Sequence, residues 1–268
     1  LGVEGMMITG AVIGFIFAVN TEIPIYGFIC AAIAGALLSV LFAVLTQYIM
    51  SNQVATGLGL TMVGLGLSAL IGKPYEGIRS PTLSKIEIPI LSDIPILGPM
   101  IFSHDAIVYF SIILVGTVAF VISKTRVGLV LRAVGENQEA AHALGYKVVR
   151  IRFLAIMFGG ATAGIGGAYI SLARVPQWTE GMTAGAGWIA LALVVFASWK
   201  PWRVLLGAYL FGGITVLQLN LQAIGVAIPV EILSMSPYLV TIVVLVGISL
   251  FGHHTAPGSL ARPFHASQ

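Results

Sequence analysis

The chain has 268 residues, 58% of them apolar and 9% charged, where an average soluble domain is about a quarter charged. That surplus excludes a water-soluble coat, and it excludes stable disorder, which needs low hydrophobicity with high net charge. The charge of +3 and the pI near 9.1 do not mark a nucleic-acid partner, because the basic residues scatter among loops and form no patch beside interleaved aromatics. With a mean hydropathy of +1.01, the composition is that of an integral membrane protein.

A helix crosses about 30 Å of hydrocarbon with roughly 20 apolar residues. Apolar runs between polar breaks predict eight such segments: Met6 to Val19, Ile25 to Met50, Val54 to Ile71, Ala106 to Ile122, Phe153 to Ala173, Trp188 to Ala197, Val204 to Leu221 and Ile232 to Phe251. The expected fold is an all-α polytopic membrane protein, with a transmembrane domain over residues 1–251 and a flexible cytoplasmic tail over 252–268. Leu1 opens the chain without a methionine, so preceding residues are expected.

The first and sixth runs are short. They are opened by Gly2 and Gly5 and by Gly185 and Gly187, with Glu4 between the first pair, and they enter from opposite sides if the runs alternate. This pattern fits half-helices whose free amide ends line a central pathway. It equally fits ordinary spans with ill-defined ends. Gly159, Gly160, Gly164, Gly166 and Gly167 read as packing positions, since small residues let membrane helices approach closely.

Alternation puts Lys124, Arg126, Arg132, Lys147, Arg150, Arg152, Lys200, Arg203 and Arg262 on one side and Lys73, Arg79, Lys85 and Arg174 on the other. Basic residues near span ends are retained in the cytoplasm, so the first side is inside, together with both ends of the chain. The loop 72–104 is then external. Its Pro74, Pro81, Pro89, Pro95 and Pro99 predict an irregular chain, either a connector or a docking surface.

No Asp, Glu, Lys, Arg or His falls inside the eight runs. Proton-driven carriers keep such groups at membrane depth as relays, so proton coupling is disfavoured while sodium coupling through backbone carbonyls stays open. No H-E-x-x-H helix and no G-x-x-x-x-G-K-[ST] loop occurs, so neither metal-dependent hydrolysis nor P-loop binding of ATP is expected of this chain. Cys30 is the only cysteine, and His253 and His254 lack a third ligand; no metal site is expected.

Polar groups that could line a pathway are Gln47, Asn52, Gln53, Gln218, Asn220 and Gln222, with Gln218 and Gln222 on one helix face. Such amides pair with base edges or sugar hydroxyls without carrying charge, or simply mark the membrane interface. Trp178 and Trp188 read as interface anchors or as rings that stack on a base.

The inner loop 123–152 holds Arg132-Ala-Val-Gly-Glu136-Asn137-Gln-Glu139-Ala140-Ala141-His-Ala-Leu-Gly145, which reads as one short helix. Asn137 is the expected N-cap, Glu139 the acid of the first turn, and Gly145 the left-handed stop. A helix this short needs support from the span ends or from another protein. His142 has no companion at ligand spacing.

Glu139-Ala140-Ala141, three residues, then Gly145 resembles the E-A-A-x-x-x-G loop of ABC importer permeases, which docks in a cleft of the cytoplasmic ATPase. Leu1-Gly-Val-Glu-Gly-Met-Met7, Arg132-Ala-Val-Gly-Glu-Asn137, Glu180-Gly-Met-Thr-Ala-Gly185 and Gly187-Trp-Ile-Ala-Leu-Ala192 resemble permeases of the ribose, branched-chain amino acid and nucleoside branch. Over nearly its whole length the chain is most similar to the smaller permease of nucleoside importers. Ala186 stands where those relatives often have Arg, and they carry residues before the Gly-Val-Glu-Gly motif. The resemblance implies a plasma-membrane permease subunit for a nucleoside or similar neutral solute, with a simple sugar as the alternative. It implies as partners a cytoplasmic ATPase that carries the ATP, a second permease and an extracellular or periplasmic solute-binding lipoprotein. In this picture Arg132, Glu136, Asn137, Glu139, Ala140, Ala141 and Gly145 couple to the ATPase. Gly2, Glu4, Gly5, Gln47, Asn52, Gln53, Trp188, Gln218, Asn220 and Gln222 are the pathway candidates. The rivals from the residues alone are a stand-alone channel and a sodium-coupled carrier.

Overall fold

The structure, a computed structural model, describes residues 1–87, 103–225, 229–251 and 256–264. Helix α1 (Val3–Thr21) ends where Glu22 turns left-handed, and Pro24 opens α2 (Pro24–Gln47), where its missing N–H costs no helical bond. Asn52 caps α3 (Gln53–Gly72), its Oδ1 accepting from the N–H groups of Val54 at 2.9 Å and Ala55 at 3.1 Å.

In the loop 72–104 the described residues are less irregular than the prolines suggest. Lys73–Tyr75 form one tight turn, and β1 (Lys85–Glu87) pairs antiparallel with β2 (Ser103–Asp105). Pro74 sits in the first turn of its element, where it withdraws no needed donor. Pro89, Pro95 and Pro99 lie outside the described residues. Asp105 caps α4 (Ala106–Lys124), and its second oxygen accepts from the Tyr169 hydroxyl at 3.0 Å.

Two short helices follow, α5 (Arg126–Glu136) and α6 (Gln138–Ala143), and then α7 (Val148–Tyr169), which runs on through a wider turn at Ile170–Arg174. The chain ends with α8 (Ala186–Phe196), α9 (Pro201–Ala223) and α10 (Val230–Phe251). All eight apolar runs are helical. Among the described residues, six helices have the length and apolarity to cross a membrane: α1, α2, α3, α4, α7 with its extension, and α9. The 11 residues of α8 rise only about 16 Å, half of the hydrocarbon, which agrees with a half-helix. The 19 residues of α1 make a full-length span instead.

At the centre, α1 and α7 run parallel and α2 runs antiparallel to both. Gly10 faces Gly164, Gly14 faces Ala168, and Gly35 rests on the Gly160 carbonyl. A Cβ at Gly10, Gly35 or Gly167 would overlap the neighbouring backbone, so these positions set how closely the helices approach. Gly159 and Gly166 face open space. The packing assignment therefore applies to Gly160, Gly164 and Gly167 and is corrected for the other two. Ile8, Val12, Phe15, Phe28 and Leu172 fill the same core.

Trp178 joins them with no exposed surface, packed on Gly72. It is neither an interface anchor nor a ring free to stack on a base. Bridges from Glu76 to Trp178 and from Arg79 to Gln177 tuck that segment inward.

The expectation of spans free of ionisable groups holds only within the apolar runs. Helix α1 begins three residues before Met6 and takes in Glu4, which is 3% exposed. The tail also departs from expectation: residues 256–264 fold back on α5, α6 and α7 because Ser259 and Phe264 find partners there. His253 and His254 lie outside the described residues.

Candidate functional site

Glu4 joins the two glycine-opened segments. Its Oε1 accepts from the Thr183 hydroxyl at 2.5 Å and the Gly185 N–H at 3.0 Å, and its Oε2 accepts from the Gly187 N–H at 2.7 Å. Gly185 and Gly187 belong to the start of α8, whose first amides have no acceptor within the helix. A carboxylate there satisfies the donors and meets the positive end of the helix dipole. Gly187 must lack a side chain, since a Cβ would lie 2.7 Å from Glu4 N and Cα. Gly2 and Gly5 let α1 rest on α3 at Gly57, Leu60 and Thr61. Trp188 donates from Nε1 to the Leu1 carbonyl at 3.2 Å, as a strut between α8 and α1.

Four of the pathway candidates, Gly2, Glu4, Gly5 and Trp188, thus form one junction. The Glu4 carboxylate is spent on Thr183, Gly185 and Gly187, and the Trp188 indole on the Leu1 carbonyl.

Beside this junction lies a cavity of about 840 Å³ between the 170–184 segment, α8, α9 and α10. Thr183, Ile189, Leu193, Thr215, Gln218 and Leu219 are among its lining residues. Arg174 is the one charged side chain among the described lining residues. Phe211 and Tyr238, both on the wall, meet edge to face at 5.8 Å between ring centroids. Pro237 lies inside α10 at the same level.

Of the six amides, only Gln218 reaches this cavity. Asn52 caps α3, and Gln47 is buried at the end of α2 with its Nε2 on the Thr46 hydroxyl at 3.2 Å. Gln53 sits at the same α2–α3 turn, its Nε2 buried without a partner. Asn220 and Gln222 lie further along α9, outside the lining.

Sequence reading missed Thr183, Phe211, Thr215 and Tyr238 as lining residues, and it used Arg174 only to assign sides. The Gly-Met-Thr-Ala-Gly run and the helical Pro237 were the available signals.

In the loop 123–152, the expected cap and stop are present. Asn137 Oδ1 accepts from the Ala140 N–H at 3.0 Å, and Gly145 is left-handed at φ +88 with its N–H on the His142 carbonyl at 2.8 Å. The expected helix is α6, and a second helix, α5, precedes it, because Asn137 is extended and breaks the chain between them. Arg132 and Glu136 therefore belong to α5, where both are exposed. Ala141, expected on a docking face, is 2% exposed and packs with Val134, Val148 and Phe264. The exposed face of α6 carries Glu139, Ala140 and Ala143, continued by Leu144, which is 76% exposed.

Six helices able to span a membrane, a largely uncharged cavity at one side of them and a short capped helix fit a polytopic membrane permease. The comparisons name the family: residues 1–248 match its profile, and the chain belongs to the family described as branched-chain amino acid transport system / permease component. It is 38% identical to a protein of Haloferax volcanii provisionally named glucose ABC transporter permease protein TsgC13, over 91% of this chain and 81% of that one. It is 32% identical to the nucleoside ABC transporter permease protein NupC of Lactococcus lactis, again over 91% and 81%. It is also 32% identical to the guanosine ABC transporter permease protein NupQ of Bacillus subtilis, over 98% of this chain and 86% of that one. No solved structure matches the chain.

Proposed function

We propose that this chain is the transmembrane permease subunit of an ATP-binding cassette importer, which moves a nucleoside or similar neutral polar solute into the cytoplasm. The observation that carries the solute class is the cavity, with one cation, no acid and an aromatic pair among its described lining residues. An aromatic pair offers a face or edge to a planar base, and Thr and Gln side chains serve hydroxyls and base edges without carrying charge. A separate ATPase supplies the energy by docking on α6 through Glu139, Ala140, Ala143 and Leu144. A second permease completes the pathway, and a solute-binding lipoprotein delivers the cargo.

Relatives named for nucleosides and guanosine support this solute class. The relative named for glucose favours a second reading, a simple sugar. Membership in a family of transport-system components weighs against a stand-alone channel.

Uptake of radiolabelled guanosine by the assembled importer is expected to fall when unlabelled adenosine is added and to be unmoved by ribose or glucose. Competition by the sugars alone replaces the nucleoside with a sugar. Uptake that is undiminished without the ATPase subunit discards the importer. Leu144→Asp is expected to cut uptake and solute-stimulated ATP hydrolysis together, by about tenfold or more, because a charge on an exposed apolar anchor opposes burial at an interface.

For orientation, loop 123–152 is cytoplasmic and loop 72–104 external. In a Cys30→Ser background, an impermeant maleimide is expected to label Lys85→Cys in intact cells and Glu139→Cys only after permeabilisation. The reverse pattern inverts the topology and removes α6 from the ATPase.

A further inference from the structure

The docking helix is six residues long, too short to hold its shape alone, and its support comes from the far end of the chain. Ser259 accepts from the Gln138 N–H at 3.1 Å, which satisfies a first-turn donor of α6, and Ser259 N–H donates to the Gly135 carbonyl at 2.9 Å. Both ends of the Gln138 amide are used. Nε2 donates to the Pro263 carbonyl at 2.9 Å, and Oε1 accepts from Arg152 at 2.9 Å. The second arm of the Arg152 guanidinium donates to the Arg262 carbonyl at 3.1 Å. Phe264, 6% exposed, closes a small core with Val134, Ala141 and Val148, and its ring meets His142 edge-on at 5.3 Å.

We propose that residues 257–264 brace α6 against the start of α7 and so set the pose in which α6 meets the ATPase. Gln138, Arg152, Ser259 and Phe264 are then positioning residues for coupling; this rests on the docking role given to α6 above. The brace commits one face of α6 to the chain and leaves Glu139, Ala140, Ala143 and Leu144 pointing outward in a fixed direction.

It also removes slack. Arg152 lies in the second turn of α7, and the same helix continues without a break to Ile170 and Arg174 on the cavity wall. A tilt imposed on α6 therefore moves a continuous rod, where an unbraced loop at residues 144–147 would absorb it.

The test uses the complete importer with Phe264→Ala, Gln138→Ala and Phe264→Leu, each compared per assembled complex after size exclusion. Both alanine variants are expected to keep the ATPase bound. Their maximal solute-stimulated hydrolysis and uptake should drop by roughly ten- to a hundredfold, the upper figure being what an ångström-level misplacement can cost, with the half-saturating solute concentration unchanged. Phe264→Leu keeps the apolar contact and should recover most of the rate.

Wild-type coupling in both alanine variants overturns the brace. Loss of the assembled complex in Phe264→Leu and both alanine variants alike also overturns it, reducing the segment to a folding element. Leu144→Asp separates the two readings. If it leaves ATPase binding and coupling intact, the docking role of α6 fails; if it abolishes them while Phe264→Ala couples normally, docking stands and the brace falls.

Discussion

Gly10→Leu is expected to leave little folded protein in the membrane fraction, and Gly167→Leu to do the same. At both positions even a Cβ would overlap the neighbouring helix backbone, at Gly164 and Met7 respectively, and backbone cannot rotate away as a side chain can. Overpacking costs about 1–3 kcal/mol where side chains can adjust, and more where α1 and α7 must separate. Detergent-solubilised melting curves and membrane abundance measure the effect. Gly159→Ala and Gly166→Ala are the controls, since nothing lies within 4 Å of either position and alanine favours helix by about 0.5–1 kcal/mol. Melting temperatures at or above that of the unaltered protein are expected there. A Gly10→Leu variant as stable as the unaltered protein would show that α1 and α7 do not approach at this point.

Glu4→Ala is expected to abolish uptake and lower stability sharply. It strands the Thr183 hydroxyl and the Gly185 and Gly187 amides, and each buried group left unpaired costs about 1–3 kcal/mol. The start of α8 would keep only the Trp188 strut to α1, which loosens one wall of the cavity. Glu4→Gln should be milder, because one amide oxygen still accepts while the Thr183 hydroxyl can turn to accept from the new amide group. Uptake assays beside thermal melts give the order, unaltered over Gln over Ala. Equal uptake in all three would mean that the junction does not shape the pathway.

How much of this was readable in advance depended on the range of each interaction. The helices were legible because crossing hydrocarbon imposes a local demand, a sustained apolar run, which composition alone displays. The cap at Asn137 and the stop at Gly145 were legible for the same reason, since each involves partners within three residues. The cap at Asn52 is just as local but was not read from the sequence, because a polar residue before an apolar run carries both meanings.

The faces were not legible. Adjacent helical residues point about 100° apart, so Gly159 and Gly160 look alike in sequence while one meets open space and the other meets Ser39 and the Gly35 carbonyl. Ala140 and Ala141 divide in the same way, one exposed and one buried under Phe264. The Glu4 junction spans 179 to 183 residues of chain, and the Gln138 contacts to the tail span 121 to 125. Sequence by itself determined that this is a polytopic helical membrane protein with a short helix capped by Asn137, because local hydrophobicity and local hydrogen bonds suffice for that. Only the tertiary structure decided where the lone buried acid of α1 is satisfied, which glycines carry the packing and which face of α6 is free, because those depend on which distant backbones the close-packed helices bring within hydrogen-bond reach.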